Sequence, residues 1–274
     1  MAKPTQRVEW SDFLLHFHAQ RPGITEDVLS RSLAGSGLTP YEWVVEPIDP
    51  QSKVLDLACG SGPSMKVRRG GNWIGLDFSA EELDRARTSG RQPLVRADAS
   101  SLPFRDESFD AVVCSMALML LQPLRRCVDE VARVLKVGAP VVILMPGRRP
   151  LSTRDHWRYA RLVRSLGRWR LAYPNDDQMR ALTSLLTLAG LDVVEDDRQR
   201  FSFDLPTKAE TTMFVESLYL PGVSVHELQR ATALASSWVD TDMGIPLRRI
   251  IARKCSSSSS DDRDTTMWSK PGFG

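Results

Sequence analysis

An α/β fold, with a mainly parallel sheet and helices on both faces, is predicted by three features of the chain. Short apolar runs alternate with helical patterns from Lys53 to Met145, the rhythm of βαβ units. The first run, Val54 to Leu57, carries an acid, Asp56, and passes straight into two closely spaced glycines, Gly60 and Gly62. The second run, Trp73 to Leu76, ends in another acid, Asp77. Strand, glycine turn, short helix, strand and acid is the plan of a nucleotide-type site at the carboxyl edge of a parallel sheet.

The elements follow in order. Residues 9 to 46 read as helices: Phe13, Leu14 and Phe17 form one apolar face, Pro22-Gly23 breaks it, and Thr25 opens a second helix. Pro47 and Pro50 mark a junction, which predicts an N-terminal helical cap over residues 1–50. Strands are expected at Val54–Leu57, Trp73–Leu76, Pro93–Arg96, Phe109–Ser115 and Ala139–Met145. Ser79 is a natural cap for a helix reaching Arg87, with Glu81 and Glu82 in its first turn. Leu124 to Leu135 is amphipathic and stops near Gly138. After Pro146-Gly147 the rhythm breaks into an arginine- and tryptophan-bearing insertion, 148–173, and a second insertion, 205–240. Between and after them come a helix over Asp177–Leu188, strand patterns at Leu191–Val194 and Arg200–Phe203, and a last strand at Ile245–Arg253. The main domain is thus expected over 51–254, with the insertions as a lid, and the Ser-rich tail 255–274 is expected to be disordered.

Composition narrows the function classes. With 42% hydrophobic and 26% charged residues the chain reads as globular, and a net charge of +2 makes no global case for a polyanionic partner. No apolar run nears the roughly 20 residues of a membrane span, and the first ten residues lack a signal-peptide core. Four cysteines, Cys59, Cys114, Cys127 and Cys255, show no Cys-x-x-Cys pair, so neither a metal site nor a disulfide framework is expected. A reducing cytoplasm is the expected location, and monomer and homodimer are both open.

Leu55-Asp56-Leu57-Ala58-Cys59-Gly60-Ser61-Gly62 resembles motif I of class I S-adenosylmethionine-dependent methyltransferases, with Ala58 where that family most often has glycine. Gly75–Ser79 resembles the second motif, Arg96–Phe104 the third, Phe109–Met116 the fourth strand, and Ala132–Ala139 the Arg-Val-Leu-Lys-Pro-Gly-Gly connection. A dinucleotide turn would need glycine at position 65, where Met65 stands. The resemblance implies a Rossmann-like, seven-stranded methyltransferase fold of the ubiquinone-biosynthesis-like, small-molecule group. It implies S-adenosylmethionine as cofactor, S-adenosylhomocysteine as product, and no metal. It places the cofactor against Asp56, Ala58, Gly60, Gly62, Asp77, Phe78, Asp98, Ala99 and Ser115. Asp56 would help hold the ammonium, Asp77 would accept from the ribose hydroxyls, and Asp98 would meet the adenine amino group.

The family often has histidines after the fourth strand, where this chain has Ala117-Leu118-Met119-Leu120-Leu121. The candidate base is therefore His18, flanking the apolar stripe of the first helix. His16, Tyr41, Trp43, Met116, Arg149 and Trp157 are the candidates for contact with the acceptor, by position and by their polar, aromatic or pliable side chains. The expected activity is methyl transfer to a small molecule, such as a secondary metabolite, with catalysis mainly from proximity. Two alternatives stand beside it. Eight arginines interleaved with Trp157, Tyr159 and Trp169 over 148–170 would suit an RNA methyltransferase. A non-catalytic module that keeps the cofactor fold would bind without turnover.

Overall fold

The computed structural model describes residues 10–68 and 70–256. Two helices open it, α1 (Trp10–Gln20) and α2 (Ile24–Leu29), then a two-residue strand β1 (Ser32–Leu33) and α3 (Pro40–Val45). The α/β core runs β2 (Lys53–Leu57), α4 (Pro63–Val67), β3 (Asn72–Asp77), α5 (Ala80–Thr88), β4 (Leu94–Arg96), β5 (Ala111–Ser115), α6 (Leu124–Val134) and β6 (Pro140–Pro146). Then come α7 (Thr153–Ser165), α8 (Asp176–Arg180), α9 (Leu182–Leu188), β7 (Leu191–Leu205), α10 (Lys208–Glu216), α11 (Val225–Ala235) and β8 (Thr241–Lys254).

The strands form one sheet in the order β1-β7-β8-β6-β5-β2-β3-β4. The five strands β6, β5, β2, β3 and β4 are parallel, and β8 pairs antiparallel with both β6 and β7. There are eight strands rather than seven because Ser32 and Leu33 pair with Phe203 and Ser202 at the edge. Strand order reverses between β2 and β5, so the crevice opens beyond the carboxyl ends of β2, β3 and β5.

Period-two alternation divides the core by sheet face. Leu55, Leu57, Val112 and Cys114 join one cluster with α6 and α9, while Val54, Ala111 and Val113 join another with α3. A third cluster ties α7, α10 and α11 to Phe203, Leu205 and Met243 at the ends of β7 and β8.

Most expected elements lie within a residue or two of their place. The separate patterns at 191–194 and 200–203 are one long strand with a bulge between Val193 and Glu195. The polar stretch between them stays extended because β8 supplies charge partners: Arg248 Nε lies 2.7 Å from Asp196, and Arg249 pairs with Glu195. The single helix expected over Asp177–Leu188 is two, divided at Ala181. The tail expected to be disordered lies, from residue 257, outside the described residues, as do residues 1–9 of the expected cap.

Candidate cofactor and acceptor cleft

The glycine turn after β2 is built from left-handed backbone. Ala58, Gly60 and Gly62 have φ of 52°, 54° and 78°. For Ala58 this conformation costs about 1 kcal/mol, since its Cβ crowds the following carbonyl. The turn is tied to β3 by Cys59 N donating to Leu76 O at 2.9 Å and by Gly60 N donating to Asp77 Oδ2 at 2.7 Å. Gly62 and Pro63 then start α4, a helix of five residues, as the short spacing to Asp77 predicts. Met65 is buried there, its sulfur about 3.0 Å from where a Cβ on Gly75 would stand.

Two acids lie at this turn. Asp77 Oδ1 also accepts from Ser79 N at 2.8 Å, and each oxygen retains a lone pair for a ligand. Burial pushes the Asp77 carboxyl up, against the pull of the two amides. Asp56 is 1% exposed, and neither of its oxygens has a hydrogen-bond partner. Burial and then the Asp77 charge push its pKa up to about 8. The Ser115 hydroxyl at the end of β5 is likewise buried and unpartnered. Buried polar atoms are nearly always bonded, so orphans gathered under a glycine turn mark a ligand site.

The first two helices roof the cleft. Glu26 forms a bidentate pair with Arg91, at 2.6 and 2.7 Å, and accepts from Ser61 Oγ at 2.7 Å, which docks α2 on the glycine turn. His18 Nδ1 lies 2.8 Å from Glu82 Oε1, and Gly23 N donates to the same oxygen at 2.9 Å. Beneath this roof is a cavity of about 330 Å³, with an apolar wall of Leu14, Leu15, Met116, Leu120, Leu121 and Tyr219.

Of the residues singled out in the sequence, His18, Tyr41, Ala58, Gly60, Asp77, Phe78, Asp98, Ala99, Ser115 and Met116 line this cavity. Asp56 and Gly62 are buried beside it, outside the lining. The exposed Phe78 ring stacks under Arg96, 5.9 Å away, and exposed Asp98 receives Ser100 N at 2.7 Å.

Four acceptor candidates stand elsewhere. His16 is on the outer face of α1, 2.8 Å from Gln20, because Phe17 takes the inward position. Trp43 is core, 5.6 Å from the Phe201 ring and under the Arg249 guanidinium. Arg149 and Trp157 are exposed, and nothing from 148–173 lines the cavity. The reason is the seat of α7. Asp155 caps that helix with Ser152, pairs with Arg200 at 2.7 Å and accepts from Gly244 N at 3.0 Å, fixing α7 over the start of β8. Three arginines of the segment are bound to the protein as well: Arg154 pairs with Asp242, Arg158 donates to Asp242 O, and Arg168 donates to Pro221 O. From 205–240 only Tyr219 reaches the cavity among the described residues.

Reading the sequence missed Glu82, the Glu26–Arg91 pair and Tyr219. The first had a misleading signal: Ser79-x-x-Glu82 spells a capping box, in which the glutamate would turn back to its own helix. Tyr219 had no signal, lying far along the chain beyond the last motif, Ala132–Ala139.

Residues 55–143 match the family described as Methyltransferase domain. Demethylmenaquinone methyltransferase of Clavibacter sepedonicus is 42% identical over 97 residues, 33% of this chain and 40% of the relative. That of Streptomyces avermitilis is 35% identical over 130 residues, 46% of this chain and 55% of the relative. The chain thus spans about half the length of the curated relatives it matches. Among solved structures, a candidate methyltransferase from Bacillus halodurans superposes with a TM-score of 0.53 at 20% identity, over 79% of this chain and 99% of the other. The [4+2]-cyclase SpnF does so with 0.52 at 22% identity, over 78% and 80%. Sheet order, glycine turn and domain match together are similar to those of a class I, S-adenosylmethionine-dependent methyltransferase domain. Within that class the sequence similarity falls in the ubiquinone- and menaquinone-type group.

The residues present fit that cofactor. Its net charge is positive, and the cleft offers Asp77 with Glu82 above, faced by His18, and Asp56 buried beside the lining. Gly60 lets a ligand approach the backbone where a side chain would stand within 3.7 Å of Glu82. Among the described residues no group of three or more His, Cys, Asp or Glu is arranged to hold a metal, and no helix is long and apolar enough to cross a membrane.

Proposed function

We propose that the chain transfers a methyl group from S-adenosylmethionine to a small, largely apolar acceptor of the size and polarity of a secondary metabolite. The observation that carries this reading is Asp56, wholly buried, unpartnered and adjacent to Asp77 under the glycine turn. When bound, the cofactor supplies a methyl group on a sulfonium, already a good leaving group. Asp77 holds the ribose hydroxyls, Asp56 lies buried beside Asp77 as a partner for the ammonium end, and Phe78, Asp98 and Ala99 flank the base. The wall of Leu14, Met116, Leu120 and Leu121 excludes water and presses the acceptor toward the turn, so that proximity carries much of the rate. An acceptor that must lose a proton gives it to His18, whose Nδ1 is held by Glu82 and whose other ring nitrogen is left for the substrate.

Calorimetry with S-adenosylhomocysteine tests the core of this. Asp77→Ala is expected to weaken binding by about tenfold or more, the loss of one charged hydrogen bond or greater, with the fold kept. Equal affinity would sink the ribose assignment. Turnover is read with radiolabelled cofactor on apolar hydroxylated acceptors, quinols included because the relatives are demethylmenaquinone methyltransferases. Binding without transfer to any of them would favour the non-catalytic module. If His18→Ala leaves kcat unchanged across pH, no base acts at that position.

A further inference from the structure

We infer that Glu82 is a cofactor-binding residue, its second carboxylate oxygen reserved for a hydrogen-bond donor of the ligand; this deepens the reading above and rests on it. Three observations carry it. Glu82 is 4% exposed, and its Oε2 is buried with no partner, while Oε1 is fully used by His18 Nδ1 and Gly23 N. The free oxygen faces the glycine turn, 3.7 Å from the position of a Cβ on Gly60, and the residue lines the cavity. Its side chain also forgoes the role its position prepares. Ser79 Oγ accepts from Glu82 N at 3.2 Å, but Ser79 N turns to Asp77 instead of to Glu82, so only half of a capping box forms. A carboxylate taken out of water, diverted from its helix and left with an empty oxygen pays a desolvation penalty that only a ligand donor offsets.

Two donors of the cofactor have the right chemistry, a ribose O–H and the amino-acid ammonium. His18 and the Gly23 amide act as positioning groups, aiming the carboxylate and coupling the roof to occupancy of the cleft.

The test is calorimetric binding of two probes, S-adenosylhomocysteine and 5′-methylthioadenosine, which keeps the ribose and lacks the amino-acid end. Glu82→Gln is expected to weaken S-adenosylhomocysteine binding at least about tenfold, with the melting temperature reporting the fold. Loss for both probes assigns the oxygen to the nucleoside half, and loss for S-adenosylhomocysteine alone assigns it to the ammonium. Unchanged affinity for both overturns the inference. Should Glu82→Gln fail to fold, Glu82→Asp keeps the charge but withdraws it, and the same pattern is read. Wild-type protein that binds neither probe would bring down the cofactor reading itself; wild-type binding with an indifferent Glu82 variant removes only this residue.

Discussion

Two regions of the molecule, one around α7 and β8 and one around the glycine turn, treat buried charge differently. Around α7 and β8 every buried charge has been answered. Burial alone would raise Asp155, but Arg200 and Ser152 bind it and hold it well below the usual carboxylate range. Arg249, 6% exposed, is met by Glu46, Glu195 and the Trp43 carbonyl. Around the glycine turn Glu26 is answered by Arg91, but the buried acids Asp56 and Glu82 keep unbonded oxygens, and Ala58 sits in a backbone conformation that glycine prefers. The contrast teaches how to separate structural from functional charge within one chain. Satisfied networks hold elements together, whereas unsatisfied ones wait for a ligand.

The contrast is broken most forcefully at Asp155. Asp155→Ala leaves Arg200 short of a partner, removes the carboxylate half of the capping box and frees the Gly244 amide. A loss of about 3 kcal/mol in chemical denaturation is expected, as for other broken buried pairs. A loss below about 1 kcal/mol would mean the network is ornamental.

Asp56→Asn sharpens the other region. The folded-state pKa of Asp56, about 8, stands above its ordinary 3.8. Between those values the folded state binds a proton that the unfolded state lacks. This carboxyl therefore makes ligand-free stability fall as pH rises from 3.8 toward 8, by up to about 1.4 kcal/mol per unit. Denaturant melts from pH 6 to pH 9 are expected to show Asp56→Asn gaining on the wild type as pH rises, while its cofactor affinity drops. Parallel curves would show that Asp56 does not titrate in this window.

Ala58→Gly relieves the left-handed strain but loosens the unfolded chain, so a change within about 1 kcal/mol is expected. The melting temperature reads that change, and a large gain would reveal more stored strain than the turn suggests. Trp157→Ala is expected to do least. The ring is 56% exposed and touches Arg161 on its own helix, so stability should move by no more than about 0.5 kcal/mol and cofactor affinity by nothing measurable. A clear loss of affinity would return the 148–173 segment to the cleft.

Much of this was legible beforehand, for local reasons. Val54–Leu57 and Trp73–Asp77 announce strands by composition and length, and Asp56, Gly60, Gly62 and Asp77 follow from contiguous spacing, so their chemistry needs no distant partner. The arginines of the 148–173 insertion were legible as a cluster but not by destination. Arginines look alike in a sequence whether they face a ligand, water or, as Arg154 does, the carboxylate of Asp242.

By itself, then, the sequence determined the alternating α/β order, the glycine turn and the acids at the ends of two strands, because periodicity and turn chemistry act over a few residues. Tertiary structure alone decided which charges are answered. It seated α7 on β8 rather than over the cleft, brought Tyr219 to the wall, and turned Glu82 away from its own helix toward His18 and the glycine turn. Those outcomes depend on pairings between residues 60 to about 200 positions apart, and no local pattern carries the energy that selects them.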